Sequence, residues 1–195
     1  MIALVLAAGL AWDSDEITLT KPLEFILDVR VGGWASGGFE FEALVPTGER
    51  EIDGRAVWTA GVDAGVCLSD RWLIFGGGEY GIGGDLTLVT AHLSVGYRLY
   101  ISEMIHALPP CRLEVSVGAL AGSLDVDKSD FGDFERGFGV RAGVSLVFEL
   151  GRTFTLGGWV EGRYLRYEYE EETIDGDDHA GGGGIAGGIT GGVRF

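Results

Sequence analysis

From Leu23 onward, apolar and polar residues alternate in runs of about ten, the pattern of a β-strand with two unlike faces. In Leu23 to Trp34, Leu23, Phe25, Leu27, Val29 and Val31 share one face, and Glu24, Asp28 and Arg30 share the other. Ala56 to Leu68 sets Trp58, Ala60, Val62, Ala64, Val66 and Leu68 against Val57, Thr59, Gly61, Asp63, Gly65 and Cys67. Trp72 to Ile82 places Glu79 opposite Ile74 and Tyr80. Leu86 to Leu99 sets Val89, Leu93, Val95, Tyr97 and Leu99 against Thr90, His92, Ser94 and Arg98. Arg112 to Ala121 opposes Val115 and Val117 to Glu114 and Ser116, and Gly137 to Leu150 opposes Phe138, Val140 and Val144 to Arg141, Ser145 and Glu149. Phe154 to Tyr167 carries Glu161 and Arg163 on its polar face. Gly183 to Phe195 keeps Ile185, Ile189, Val193 and Phe195 in one phase. The pattern predicts eight strands.

The connections fall into two classes. Residues 41 to 55, 122 to 136 and 168 to 182 are long and acidic, whereas 69 to 71 and 151 to 153 are tight turns. Long connections on one side and short ones on the other fit a membrane barrel, and an even strand number puts both chain ends on the short side. Gly83 to Asp85 is short for the long side, and Tyr100 to Cys111, with Pro109-Pro110, is long for the short side. In hydrocarbon every backbone polar group needs an internal partner, so a spanning sheet must close on itself. The predicted fold class is all-β: an eight-stranded antiparallel up-and-down transmembrane β-barrel. Inward glycines (Gly61, Gly65, Gly96, Gly118, Gly139, Gly143) make room for long neighbours. Aromatics suggest two rims, Phe25, Trp72, Tyr97, Phe148, Phe154 and Phe195 at one and Trp34, Trp58, Tyr80, Phe138 and Tyr164 at the other. The competing architecture is a soluble lipocalin-like barrel with its apolar faces turned inward.

Composition supports the membrane version. The 195 residues are 46% hydrophobic despite a formal charge of −16, and no stretch reaches the ~18 to 20 apolar residues of a membrane helix. The 35 glycines follow no three-residue period, which excludes collagen, and 14 Lys plus Arg against 30 acids exclude a nucleic-acid partner. Met1 to Ala11 reads as the apolar core and small-residue end of a secretory signal without its basic start. The expected division is thus a signal-like lead at 1–20 and a barrel at 21–195. Cys67 and Cys111 have no metal-binding spacing. In an oxidising compartment a disulfide between them, tethering the long turn, is chemically possible.

The candidate site is the barrel interior. Glu24, Asp28, Arg30, Asp63, Glu79, His92, Arg98, Glu114, Arg141, Glu149, Glu161 and Arg163 all occupy the inward phase. Charges inside a membrane protein face its interior and pair with one another. They form either a structural ion-pair network or a gate that opens when arginines change partners. In the loops, Asp125, Asp127, Asp130 and Asp133, and Asp175, Asp177 and Asp178, are carboxylate-dense but lack calcium-loop spacing, so solvated loops are expected. Gly76-Gly77-Gly78 precedes no helix and is not a phosphate loop. No metal or cofactor is expected.

These features together resemble the eight-stranded outer-membrane barrels similar to the membrane domain of outer-membrane protein A, over residues 21 to 195. The final Gly-Gly-Val-Arg-Phe carries the family's terminal phenylalanine, while the glycine usual five residues earlier is Thr190. The resemblance implies a bacterial outer-membrane location and surroundings of outer-membrane lipid and lipopolysaccharide. It also implies insertion by the barrel-assembly machinery through Val193 and Phe195, and a largely plugged lumen with a structural or surface-interaction role. A narrow pore and a lipid-modifying outer-membrane enzyme are the alternatives, and any surface ligand is unknown. His92-Leu93-Ser94 faintly resembles the His-x-Ser of outer-membrane lipid A deacylases. Val95 replaces the usual asparagine, no carboxylate follows in the same strand, and the lumen phase keeps His92 from lipid, so no enzymatic role is expected.

Overall fold

The computed structural model describes residues 23–42, 56–84, 86–101, 109–126, 134–168 and 179–195. Eight strands follow in order: β1 (Glu24–Glu42), β2 (Ala56–Cys67), β3 (Trp72–Gly83), β4 (Leu86–Tyr100), β5 (Cys111–Val126), β6 (Phe134–Leu150), β7 (Phe154–Glu168) and β8 (His179–Arg194). Each pairs antiparallel with the next, and β8 returns to β1, so the sheet is a closed barrel. The seam runs from Ile26↔Arg194 through Val31↔Ile189 to Glu42↔His179. Phe25 and Phe195 continue it, each N–H donating to the other's carbonyl at 3.2 and 3.0 Å. Closure leaves no unpaired edge, the condition for backbone in hydrocarbon.

The strands run further than alternation predicts on the long-loop side. β1 extends eight residues past Trp34, β5 five past Ala121, and β8 starts four residues before Gly183. Two of these extensions contain register shifts, between Ser36 and Phe39 in β1 and between Gly122 and Leu124 in β5. A bulge inserts one residue and reverses the side-chain phase, so strict alternation stops while pairing continues. Glycine is needed at the turn position Gly151, where φ is +80°.

The outer surface is an apolar belt. Val117, Val140, Val160 and Ile189 are half or more exposed, as are Leu93 and Leu156, with Val89 close behind. Along β4 the belt runs from Val89 to Leu99. That is about 33 Å of strand, or about 25 Å along the barrel axis at the usual tilt, the height of the apolar band of outer-membrane barrels. No soluble barrel presents such a belt, so the lipocalin-like alternative, which would bury these faces, is set aside. Trp58, Tyr80, Phe138 and Tyr164 are exposed at the loop-side rim, and Phe25, Trp72, Phe154 and Phe195 at the turn-side rim. Trp34 corrects the predicted girdle. It lies inside the barrel at 1% exposure, because its even number shares the phase of Arg30.

Cys67 and Cys111 are buried and not joined by a disulfide, held on the non-adjacent strands β2 and β5. Residues 1–20, and loop aspartates 127, 130, 133, 175, 177 and 178, lie outside the described residues.

Candidate functional site: the barrel lumen

Parity turns every second side chain inward, and the inward residues stack in layers along the axis. β1 shows the order from the turn side: Glu24, Asp28, Arg30, Trp34. β7 repeats it with Thr155, Glu161, Arg163 and Leu165, and β4, running the other way, with Leu88, His92 and Arg98.

The turn-side layer is a closed ring of alternating charge. Arg98 reaches Glu24 at 3.3 Å and Glu114 at 2.9 Å. Arg112 joins Glu114 at 2.5 Å to Glu149 at 3.0 Å. Arg194 closes the circuit, 3.1 Å from Glu149 and 3.6 Å from Glu24. Three arginines and three glutamates from β1, β4, β5, β6 and β8 thus neutralise one another. Glu24, Arg98, Glu114 and Glu149 were candidates from sequence; Arg112 and Arg194 were not. Parity carried the signal for both, since Arg112 is in phase with Glu114, and Arg194 opposes the lipid-facing Phe195.

The middle layer is a hub around Glu161. Its carboxylate accepts from Arg30 at 3.0 Å and also binds Arg141 and Arg163. Arg163 grips Glu79 with two nitrogens, one at 2.7 Å. Arg30 also approaches Asp63 at 3.4 Å and stacks over Trp159, 3.8 Å from the ring centroid. The Trp159 indole N–H donates to the Ile189 carbonyl at 3.2 Å. Arginine suits this place because a planar guanidinium can bind carboxylates and stack on a ring at once. Small residues make the room. A Cβ on Gly143 would stand 2.7 Å from the Glu161 Cβ, and one on Gly61 3.2 Å from that of Glu79. The other predicted inward glycines accommodate uncharged neighbours, such as Leu73 over Gly96 and Ser94 against Gly118.

His92 belongs to the hub. Its Nε2 is 2.9 Å from Asp63 Oδ1, and Ser94 Oγ is 3.4 Å from its Nδ1. The sequence reading looked for an orienting carboxylate in the same strand. It comes instead from β2, two strands away, reaching across Gly77 of β3. A Cβ there would lie 2.1 Å from Asp63 Oδ1 and 2.9 Å from His92 Nε2. Only pairing Asp63↔Gly77↔His92 side by side reveals this contact. Ser94 is 1% exposed.

Asp28 makes no ion pair among the described residues. With Arg112, Glu114 and Arg141, and with the apolar side chains of Ile26, Leu73 and Phe75, it lines a chamber of about 40 Å³ between ring and hub. The loop-side layer is apolar, with Trp34, Val57, Leu86, Leu88, Leu120, Leu124, Leu165 and Tyr167 buried together. Among the described residues no three His, Cys, Asp or Glu side chains converge as a metal site.

A closed eight-stranded barrel, apolar outside at membrane height and charged within, has the architecture of the β-barrels that span bacterial outer membranes. Solved structures of that class have the same fold. OprG of Pseudomonas aeruginosa superposes with a TM-score of 0.55 at 11% identity, over 90% of this chain and 97% of that one. Neisserial surface protein A gives 0.52 at 13% identity, over 89% and 97%. The N-terminal β-barrel domain of OprF from Pseudomonas aeruginosa gives 0.51 at 16% identity, over 88% and 97%. At such identities the likeness is one of fold. No protein-family model and no curated protein matches the sequence.

Proposed function

We propose that this protein is an outer-membrane scaffold with a closed lumen, whose work is structural or lies in interactions of its loop-side surface. What supports this is the layered interior, in which a ring of ion pairs, the Glu161 hub and an apolar cluster succeed one another along the lumen. Its partners on this reading are outer-leaflet lipid and lipopolysaccharide around the loop-side rim. The barrel-assembly machinery acts during insertion through Val193 and Phe195, the latter 72% exposed at the turn-side rim. Purified protein in planar bilayers is expected to show no channel activity. Protease added to intact cells should cut within 43–55, 127–133 or 169–178 and spare the turns at 68–71 and 151–153. Steady ion conductance by the wild type would refute the closed reading and make the protein a narrow pore.

A second reading has one observation behind it. The hydrogen-bonded chain Ser94–His92–Asp63 is the sequence of groups that activates a serine nucleophile. Ser94 is buried and points away from lipid, and neither it nor His92 lines the chamber. A nucleophile must meet its substrate, so the structural role is favoured. Lipid A from cells with and without the protein should have the same mass distribution. A difference abolished by Ser94→Ala would establish the enzyme.

A further inference from the structure

The lumen layers differ in how they treat water. In the turn-side ring the Glu24 and Glu149 side chains keep 38% and 29% of their exposure, so solvent reaches the ring from its mouth. The chamber above it, about 40 Å³, is large enough to admit water. One buried group on its wall calls for water. Arg141 is 3% exposed, yet its Nε and Nη1 have no partner among the described residues. Buried polar groups of this kind are satisfied by ordered water.

The loop-side layer is mostly apolar, with the buried Thr59 hydroxyl beside Val57 and Leu88 at its inner edge. Leu88, Leu120, Leu124 and Leu165 are at most 3% exposed and meet around Trp34. Gly137 leaves room for its partner across the β6–β7 pair, since a Cβ there would stand 2.4 Å from the Tyr167 ring, which is fully buried in this layer. A narrow apolar constriction bars water and ions by staying dry, whereas a mixed-charge layer offers hydrogen bonds to whatever passes.

We propose that the permeability barrier of this barrel is the loop-side apolar layer, and that the two charged layers beneath it form a hydrated vestibule open only to the turn side. The inference rests on the closed-lumen reading and locates what closes it. Ion pairs brace the wall; leucines seal it.

Two measurements test this on the full-length protein in lipid bilayers. Water-edited solid-state NMR of the wild type should carry magnetisation from water to Thr155, Thr190 and Ser145 sooner than to Leu88 and Leu165. Equal build-up at both sets, or the reverse order, overturns the proposal. In planar bilayers the double variant Leu88→Ala/Leu165→Ala should show current steps that the wild type lacks, while Arg141→Met stays silent. Unboiled gel mobility serves as the check that each variant is folded. Current through Arg141→Met, or silence of the folded leucine variant, overturns the proposal while leaving the closed-lumen reading intact. Current through the wild type defeats that reading instead. If the leucine variant does not fold, the NMR comparison decides alone.

Discussion

Replacing Glu161 by alanine removes the carboxylate that Arg30, Arg141 and Arg163 share. Unit charges about 4 Å apart interact by about 4 kcal/mol at an effective dielectric near 20, so three contacts give a gross attraction of about 12 kcal/mol. Against it stand the repulsion among three neighbouring guanidiniums and the desolvation of a carboxylate only 2% exposed. Loss of one partner from a buried ion-pair group leaves a net cost of about 3–5 kcal/mol, because the remaining charges stay buried. That corresponds to a shift of about a hundred- to several-thousand-fold in the folding equilibrium. The expected result for Glu161→Ala is therefore a large drop in stability with the barrel topology retained. Reversible urea unfolding in lipid vesicles reads it, with Trp34 and Trp159 as buried fluorescence reporters. Glu161→Gln, which keeps an acceptor oxygen, should recover part of the loss. A change below about 1 kcal/mol, the size seen for exposed pairs, would refute the view that the hub is dry and cross-braces the barrel.

The remaining predictions concern local geometry. Gly77→Ala should cost about 1–3 kcal/mol in the same unfolding assay, because its Cβ would collide with Asp63 Oδ1 and part it from His92. Gly162→Ala, which meets nothing within 4 Å, should stay within about 0.5 kcal/mol of wild type. Val117→Arg places a charge in the middle of the lipid belt and should cost about 2–4 kcal/mol, an effect that must vanish if this face is not in hydrocarbon. Thiol titration should find Cys67 and Cys111 slow to react in the folded barrel. In urea both should react fully, equally with and without reductant. A reductant-dependent rise would restore the disulfide.

Where one face of a strand meets lipid, parity alone sorts the side chains. Eight strands, their order, the short turns and the inward phase of Arg30, Asp63, Arg141 and Glu161 were therefore legible from alternation. The reading stopped short where a bulge reversed the phase, as beyond Trp34 in β1 and Ala121 in β5. Trp34 was misplaced for a different reason. Residue type suggested a girdle, but its even position decided, and a tryptophan can fill the inside of a small barrel as readily as anchor its rim.

Alternation along the chain thus settles properties of single strands: which residues face lipid, which face the lumen, and that the sheet must close. Partnership inside the lumen belongs to the tertiary structure. The ring joins Glu24 to Arg194 across the seam and to Arg98 three strands away. The hub places residues 131 positions apart, Arg30 and Glu161, in contact, and Asp63 finds His92 only because Gly77 lies between them. Alternation is a local period along one chain segment, whereas these contacts depend on register and shear between strands. Those are set only when the cylinder closes and every inward side chain competes for the same narrow interior.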